Sequence, residues 1–210
     1  DEDGIPERET YYNRGDLEGK DKTYVAGTLR YEYSYHDDLR EGNQYIYGDS
    51  GALAIVLVFD EGVLTGYTYP GKDGALLPVT PVKNGTGTLK AYYPDGKPSA
   101  IFHYQHNMLN GKQMIYYKNG KLAEERNLER GDLHGPYKRF YPDGKPHYEV
   151  NYVDDEMQGT ERRYDRSGKV VASRNYTIGS QHGPTVVKGS ETGKTIQIDY
   201  YYGVPTHIRK

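Results

Sequence analysis

The chain has no cysteine and no tryptophan, and only three phenylalanines among its 210 residues. The missing cysteine excludes disulfides, thiol catalysis and cysteine-based zinc sites. Long apolar runs are also missing, since the longest covers residues 52–59, whereas a membrane-spanning helix needs about 18 apolar residues. The formal net charge is only −3, with acidic and basic residues interleaved. We therefore expect neither a transmembrane segment nor a nucleic-acid partner, which would require a basic stripe.

Tyrosine and glycine are abundant instead, with 24 and 26 copies. Hydrophobic residues make up 35% of the chain and charged residues 27%, a mixture that also occurs in disordered proteins. Tyrosine, however, can bury its ring while its hydroxyl stays in water. A tyrosine-rich chain therefore suits a folded sheet whose faces are half exposed.

Regularly spaced glycines give the chain a repeat of 24 residues. The first glycine of each unit is found at Gly87, Gly111, Gly135, Gly159 and Gly183. A second glycine, followed by lysine, lies nine residues further on at Gly96, Gly120, Gly144 and Gly168, with Gly193 one residue late. A fixed period in this range indicates a repeat architecture, and such arrays present extended surfaces to partners.

Each unit is predicted to be one β-hairpin. Residues 112–117 and 122–128 flank Asn119-Gly120, and Asn-Gly between two β-prone runs favours a two-residue type I′ turn. The polar residues 129–134 are predicted to form a longer connection to the next unit. The fold class is therefore all-β, an elongated array of about seven to eight hairpin repeats in a twisted antiparallel meander.

The array is predicted to be continuous but uneven. Regular repeats fill residues 87–210 and end in a terminal strand, over 200–210, that acts as a cap. More degenerate units fill residues 19–86, and the one between Gly66 and Gly87 contains three prolines. Because proline cannot donate to a ladder, we expect this unit to be distorted and to mark a kink or a boundary between sub-arrays. Residues 1–18 are predicted to be a mobile segment with a partial repeat.

The predicted pairing sorts side chains onto two faces. A two-residue turn places Tyr117 opposite Leu122, and opposed residues share a face, whereas Ser99 and His147 fall on the other, more polar face. The candidate binding stripe consists of Tyr93, Phe102, Tyr104, Tyr117, Tyr137, Tyr141, Tyr148, Tyr152 and Tyr176. An exposed aromatic stripe favours recognition. The alternative is that these rings serve only to pack across the strands.

The segment GKQMIYYKNGKLAEERNLERGDLHG, from Gly111 on, combines a glycine, an aromatic pair, Asn-Gly-Lys, a strand and Leu-x-Gly. The units before and after it carry Asp-Gly-Lys at the same place. Together they resemble the variant MORN repeat over residues 87–183, and more loosely over 19–86 and 184–210. Bacterial proteins of this family are often labelled antitoxins, and many look exported. The resemblance implies a scaffold for protein or membrane association and brings no catalytic residue.

Two functional hypotheses follow. The first is a non-enzymatic scaffold that binds a protein partner, antitoxin-like or associated with the cell envelope. The alternative is a module that binds a glycan or cell-wall polymer on the aromatic stripe, although Glu149 and Asn151, near Tyr141 in sequence, are predicted on the opposite face. The chain contains no phosphate loop, nucleophile elbow or metalloprotease motif. We therefore expect no enzymatic activity, no cofactor and no metal site.

The compartment is less constrained by the residues. The sequence starts at Asp1 without a signal peptide, which fits a chain whose targeting segment has been removed. We expect an extracytoplasmic location, periplasmic, surface-bound or secreted, with the cytoplasm as the alternative. Exposed strands at the ends of the array also offer a route to edge-to-edge self-association.

Overall fold

The computed structural model describes residues 7–25, 27–48, 50–188 and 194–209. These residues form antiparallel strands joined as hairpins, which confirms the all-β prediction. The chain divides into two compact units. The first holds Asp1–Asn110 and Met114–Lys121, and the second holds Gly111–Gln113 and Leu122–Lys210. The predicted second glycine Gly193 lies outside the described residues.

The first unit contains one 3₁₀ turn, Lys83–Gly85, and eleven of the strands in its described part. The strands are β1 (Arg8–Asn13), β2 (Asp16–Val25), β3 (Thr28–His36), β4 (Leu39–Arg40), β5 (Gly42–Tyr47), β6 (Leu53–Asp60), β7 (Val63–Thr68), β8 (Thr80–Pro81), β9 (Gly87–Tyr92), β10 (Pro98–Gln105) and β11 (Met108–Leu109). Strand β12 (Gly111–Tyr116) contains the division between the units.

The second unit continues the hairpins. Its strands are β13 (Leu122–Glu129), β14 (Asp132–Phe140), β15 (Pro146–Val153), β16 (Glu156–Tyr164), β17 (Val170–Thr177), β18 (Ser180–Gln181), β19 (Gly183–Lys188), β20 (Thr195–Tyr201) and β21 (Val204–Arg209). Strands β13 to β17 pair in chain order. Strand β21 pairs with β20. The terminal strand predicted over 200–210 is divided, since residues 200 and 201 belong to β20 and β21 starts at Val204.

The amino-terminal segment contains a strand that the sequence did not predict. Residues 1–18 were expected to be a mobile segment with a partial repeat, and the structure shows β1 pairing antiparallel with β2, with Arg8 opposite Thr23. Asp21 on β2 is buried and accepts two hydrogen bonds from the Arg8 guanidinium, at 2.9 and 2.8 Å. A buried carboxylate that is paired in this way favours one register of the strand. The prediction for residues 1–6 lies outside the described residues.

The turn at Asp-Gly-Lys differs from the predicted type I′ turn. The Tyr93 amide donates to the Lys97 carbonyl, and the Gly96 amide donates to the Tyr93 carbonyl, both at 2.8 Å. Within this loop positive φ is confined to Gly96, at 85°. The loop is therefore a type I turn followed by a glycine bulge, with three residues instead of two. The same hydrogen bonds recur at Tyr117, Tyr141 and Asp165.

A second bulge restores the predicted register beyond this longer turn. Pro98 pairs with Tyr92, but Ala100 already pairs with Ala91, so Ser99 is an extra residue on its strand. The predicted partners along the rest of the strand, such as Leu89 and Phe102, are confirmed. The bulged residue itself is turned to the other face, because an extra residue breaks the alternation. Ser99, expected on the polar face, is completely buried.

True two-residue turns lie where one repeat passes into the next. Arg130 and Gly131 have φ of 51° and 99° between the paired Glu129 and Asp132. Positive φ at both central positions defines a type I′ turn. The longer connection predicted for residues 129–134 is therefore wrong, since β14 already starts at Asp132.

The core of the first unit lies between two layers of strands. Strand β6 is buried on both sides, with Ala54, Ile55 and Val56 at 0% exposure. It packs against β9 and β10, and the Ser99 hydroxyl donates to the Ala54 carbonyl at 2.6 Å. The apolar side chains of these strands thus share one cluster, and a second layer lets them bury fully.

The proline-containing unit is distorted, as predicted. Its second strand, β8, has only two residues, and Pro70 and Leu76 form an isolated bridge. The hydrogen-bonded sheet of β1 to β8 ends here, and β9 starts another sheet. The segment is therefore a boundary between two sheets within the first unit, because its prolines cannot extend the ladder.

Candidate functional site

The tyrosine that precedes each Asp-Gly-Lys turn holds neighbouring repeats together. The Tyr93 hydroxyl donates to the Tyr116 carbonyl at 2.7 Å, and the Tyr141 hydroxyl donates to the Tyr164 carbonyl at 2.7 Å. In each case the acceptor lies 23 residues further along the chain. The tyrosine at this position therefore has a structural role, because its hydroxyl bonds to the backbone of the next repeat.

The aspartate and lysine of the turn are used in the same way. The Asp143 carboxylate accepts the Lys145 amide at 3.0 Å, and the Lys145 ammonium donates to the Arg166 carbonyl at 2.9 Å. Asp95 and Lys97 repeat the first contact at 3.1 Å. Since the recurring residues are occupied with the turn and the next repeat, a binding site must be sought among the residues that vary between repeats.

The first unit buries three members of the predicted stripe. Tyr93, Phe102 and Tyr104 have exposures of 4%, 1% and 4%, and Phe102 and Tyr104 belong to the apolar cluster. For these three the alternative of internal packing is what the structure supports. Tyr117 is half-buried beside its turn. We therefore exclude Tyr93, Phe102 and Tyr104 from the candidate site.

The second unit leaves its part of the stripe half exposed. Tyr137, Tyr148 and Tyr152 lie together, with ring centroids of Tyr137 and Tyr148 at 5.7 Å and of Tyr137 and Tyr152 at 6.2 Å. Tyr141 and Tyr176 are also half-buried. We call the side of β13 to β17 that carries Tyr137 and Tyr148 the inner face, and the opposite side the outer face.

Arginine and glutamate alternate with tyrosine on the inner face. One cross-strand row joins Glu124, Arg139, Tyr148, Arg163 and Ala172. Opposed residues in such a row face the same side of the sheet. The charged side chains of this row prevent the inner face from packing as an apolar core, and the tyrosine ring favours its partial burial. The inner face is therefore charged and half-buried.

Glu161 is the most buried acid of this face, at 2% exposure. It accepts from Arg163 Nε at 2.7 Å and from an Arg174 guanidinium nitrogen at 3.0 Å. A buried carboxylate must be paired in this way, because desolvation would otherwise cost several kcal/mol. Arg163 nevertheless keeps about half of its side chain exposed, at 54%, and can contact a further group.

A depression of about 250 Å³ opens on the inner face, lined by Tyr137, Arg139, His147, Tyr148 and Arg163. The Arg163 guanidinium lies over the Tyr148 ring, 5.7 Å from its centroid. Burial raises the pKa of Tyr148 well above its ordinary value, with smaller contributions from Tyr152 and Glu161. The Tyr148 hydroxyl therefore remains a neutral hydrogen-bond donor at any physiological pH.

His147 is the residue that sequence reasoning placed on the wrong face. It is the extra residue between Pro146 and Tyr148, since Phe140 pairs with Pro146 and Arg139 with Tyr148. The bulge turns its ring toward Tyr141, with centroids 4.5 Å apart. Burial lowers the pKa of His147, and the positive charges of Arg139, Arg163 and Arg166 lower it further. Its equivalent, Ser99, was misplaced for the same reason, so the sequence offered no signal for either residue.

The outer face carries its own polar cluster. The Tyr164 hydroxyl donates to Glu149 at 2.6 Å, and Arg162 donates to the same carboxylate at 3.2 Å. Burial, followed by this carboxylate, raises the pKa of Tyr164 to about 12. Lys138 pairs opposite Glu149, which confirms that Glu149 lies on the face opposite Tyr148 and so cannot flank a sugar stacked on the inner face.

One cluster of potential metal ligands occurs in the part of the first unit that is described. The ligand atoms of Glu18, His36 and Asp37 lie within 4.8 Å of one another at an exposed turn. The Glu18 carboxylate is 3.2 Å from His36 Nδ1, and this contact raises the pKa of His36 and lowers that of Glu18. The pair is thus satisfied internally, and we assign no ligand to it.

The fold is an antiparallel array of hairpin repeats with recurrent residues at the turns and a variable inner face. The family model of the MORN repeat variant matches residues 86–106, 109–129, 133–154 and 157–177. The four matched segments are thus similar to the MORN repeat variant, as the sequence predicted, and MORN repeats are non-enzymatic scaffolds that commonly bind proteins or membrane lipids. A search of curated proteins found no match. Among the described residues, no helix has the length and hydropathy needed to cross a membrane.

Proposed function

We propose that the chain is a repeat scaffold that binds a protein partner through the inner face of its second unit. The observation that carries this proposal is the contrast between equivalent positions. Tyr104 in the first unit is buried at 4% exposure, whereas Tyr152, 48 residues further on and two repeats later, is only half-buried. Tyrosine and arginine together on a half-exposed surface are the residue types that dominate binding energy in protein interfaces.

Glycan binding is the weaker alternative because of how the rings are arranged. The rings of Tyr137 and Tyr148 meet edge to face, at 64°. Such packing uses the ring faces for each other, whereas stacking a sugar needs a free face. The acid and amide that sugar recognition would use, Glu149 and Asn151, lie on the outer face.

The test is affinity capture from a native lysate with the full chain and two variants. The inner-face variant carries Tyr148→Ser, Tyr152→Ser and Tyr176→Ser, and the control carries Tyr164→Ser on the outer face. We expect a captured protein to be lost with the inner-face variant and retained with the control, after circular dichroism has shown that both fold. Equal capture by all three forms would contradict the proposal.

Two narrower roles, an antitoxin-like protein and a cell-envelope scaffold, rest on the family resemblance alone and remain proposals. They differ in their consequences. An envelope scaffold should fractionate with the periplasm or cell surface, the extracytoplasmic location that we propose. An antitoxin-like protein should instead rescue growth when it is expressed together with the captured partner. Fractionation of the native host, followed by this growth assay, separates the two.

A further inference from the structure

The depression on the inner face of the second unit is surrounded by more positive than negative charge. Arg139 and Arg163 line it directly, and the turn residue Arg166 is close enough to affect His147. The acids of this face are Glu124, opposite Arg139, and Glu161, bonded to Arg163 and Arg174, and they lie at 6% and 2% exposure. The negative charge is thus held below the surface, while the guanidinium groups surround the opening.

We propose that this depression receives a carboxylate side chain from an acidic segment of a protein partner, an inference that rests on the proposed function. Arg139 and Arg163 lie on the strands on either side of Tyr148, so their backbones are separated by roughly 10 Å, two strand spacings. Long arginine side chains can converge on one oxyanion over that distance. Guanidinium groups bind carboxylates in a planar, two-bonded geometry.

The size of the depression favours a side chain over a larger ligand. Its volume is about 250 Å³, below the roughly 300–1,000 Å³ of pockets that enclose small molecules. An acidic side chain fills such a space while its backbone lies across the neighbouring tyrosines. The net charge of −3 for the whole chain disfavours general attraction to an anionic membrane. The positive charge that would attract an acidic ligand is therefore confined to this depression.

His147 links this site to pH. The groups around it are Tyr137, Tyr141 and Tyr148 and the arginines Arg139, Arg163 and Arg166. The acids of the same face are Glu124, opposite Arg139, and Glu161, bonded to Arg163. Without a ligand the arginines disfavour the imidazolium form. A bound carboxylate favours that form, so binding should raise the pKa of His147 and should strengthen as the pH falls.

The experiment is a titration of the full chain with acetylated hexaglutamate amide, followed by calorimetry and by the NMR signals of the histidine rings. We expect affinity that falls with added salt and that increases from pH 7.5 to 5.5, where the glutamates remain mostly ionised. The double variant R139Q/R166Q should bind about tenfold more weakly, because it removes one of the two guanidinium groups that line the depression and the positive charge of Arg166 near His147. The control R130Q, with an exposed arginine in a turn of the same unit, should bind within about twofold of the original chain.

The proposal is overturned if R139Q/R166Q and R130Q bind hexaglutamate equally, or if the pH dependence persists in His147→Asn. It is also overturned if hexagalacturonate or phosphatidylserine vesicles bind with the expected arginine dependence while hexaglutamate does not. R139Q alone serves if the double variant fails to fold, since Arg139 lines the depression. If capture depends on the inner-face tyrosines while hexaglutamate does not bind, the proposed function stands and the carboxylate site is refuted.

Discussion

The tyrosine hydroxyl that joins neighbouring repeats should stabilise the two units to different extents. Tyr93→Phe removes a donor to the Tyr116 carbonyl at a position with 4% exposure. The net value of such a bond is about 0.5–1.5 kcal/mol, and an unsatisfied buried carbonyl adds a desolvation cost, so we expect a loss of about 1–3 kcal/mol. Tyr141→Phe removes the same bond to Tyr164, but Tyr141 is half exposed and water can replace the donor. Its loss should stay below about 1 kcal/mol.

Urea unfolding of the full chain, followed by far-ultraviolet circular dichroism, measures both values. Two compact units need not unfold together, so the curves are fitted with two transitions if one is insufficient. Tyr93 and Tyr116 belong to the first unit, and Tyr141 and Tyr164 to the second. Each substitution should shift the transition of its own unit. An equal loss at both positions, or a larger loss at Tyr141, would refute the reasoning that burial determines the value of the bond.

Three further predictions concern the second unit. Ile178→Asn should stabilise the second unit by about 1 kcal/mol, because Ile178 is 69% exposed and has a φ of 47°, a left-handed conformation that asparagine tolerates better than isoleucine. The measurement is the melting temperature, and no increase would contradict this assignment of backbone strain. Glu161→Gln should cost about 1–3 kcal/mol in urea unfolding because it leaves two arginines without their buried partner, whereas the exposed control Glu156→Gln should change stability by less than about 0.5 kcal/mol. Because the pKa of His147 is lowered in the folded chain, the imidazole of the unfolded chain is protonated first as the pH falls. The contribution of neutral His147 to folding stability is therefore complete above the unfolded pKa of about 6.5 and is lost as the pH falls toward the folded pKa. Melting temperatures between pH 7.5 and 5 should therefore fall less steeply for His147→Asn, and an unchanged slope would contradict the prediction.

The middle of each hairpin could be predicted from the sequence, because period and alternation fix which residues oppose each other. The pairing rule of the predicted hairpin implies the observed pairs of Ala91 with Ala100 and of Tyr137 with Val150. The turns could not be assigned in the same way, since Asp-Gly suits a type I′ turn and a type I turn with a glycine bulge equally well. The additional residue in the loop shifts the strand register by one, and the bulge that follows shifts it back. The wrong turn type therefore changes the predicted face only at the residues near the bulge.

The location of the candidate site could not be predicted from the repeat, because equivalent residues differ in burial between the two units. Tyr104 and Tyr152 are equivalent in the repeat, but only the first lies in a two-layered core. The run of apolar residues in β6 is the signal that could have indicated this, since a strand that is apolar on both sides is typical of a buried one. His147 was missed for a different reason, because its position depends on the bulge.

Footprinting of the captured complex tests the central claim most directly. Tyrosine iodination, read by mass spectrometry, compares the free chain with the chain bound to its partner. The account predicts protection of Tyr148, Tyr152 and Tyr176 on the inner face of the second unit, with no change at Tyr164 on the outer face. Protection of Tyr164 with unchanged modification of the inner-face tyrosines would contradict it.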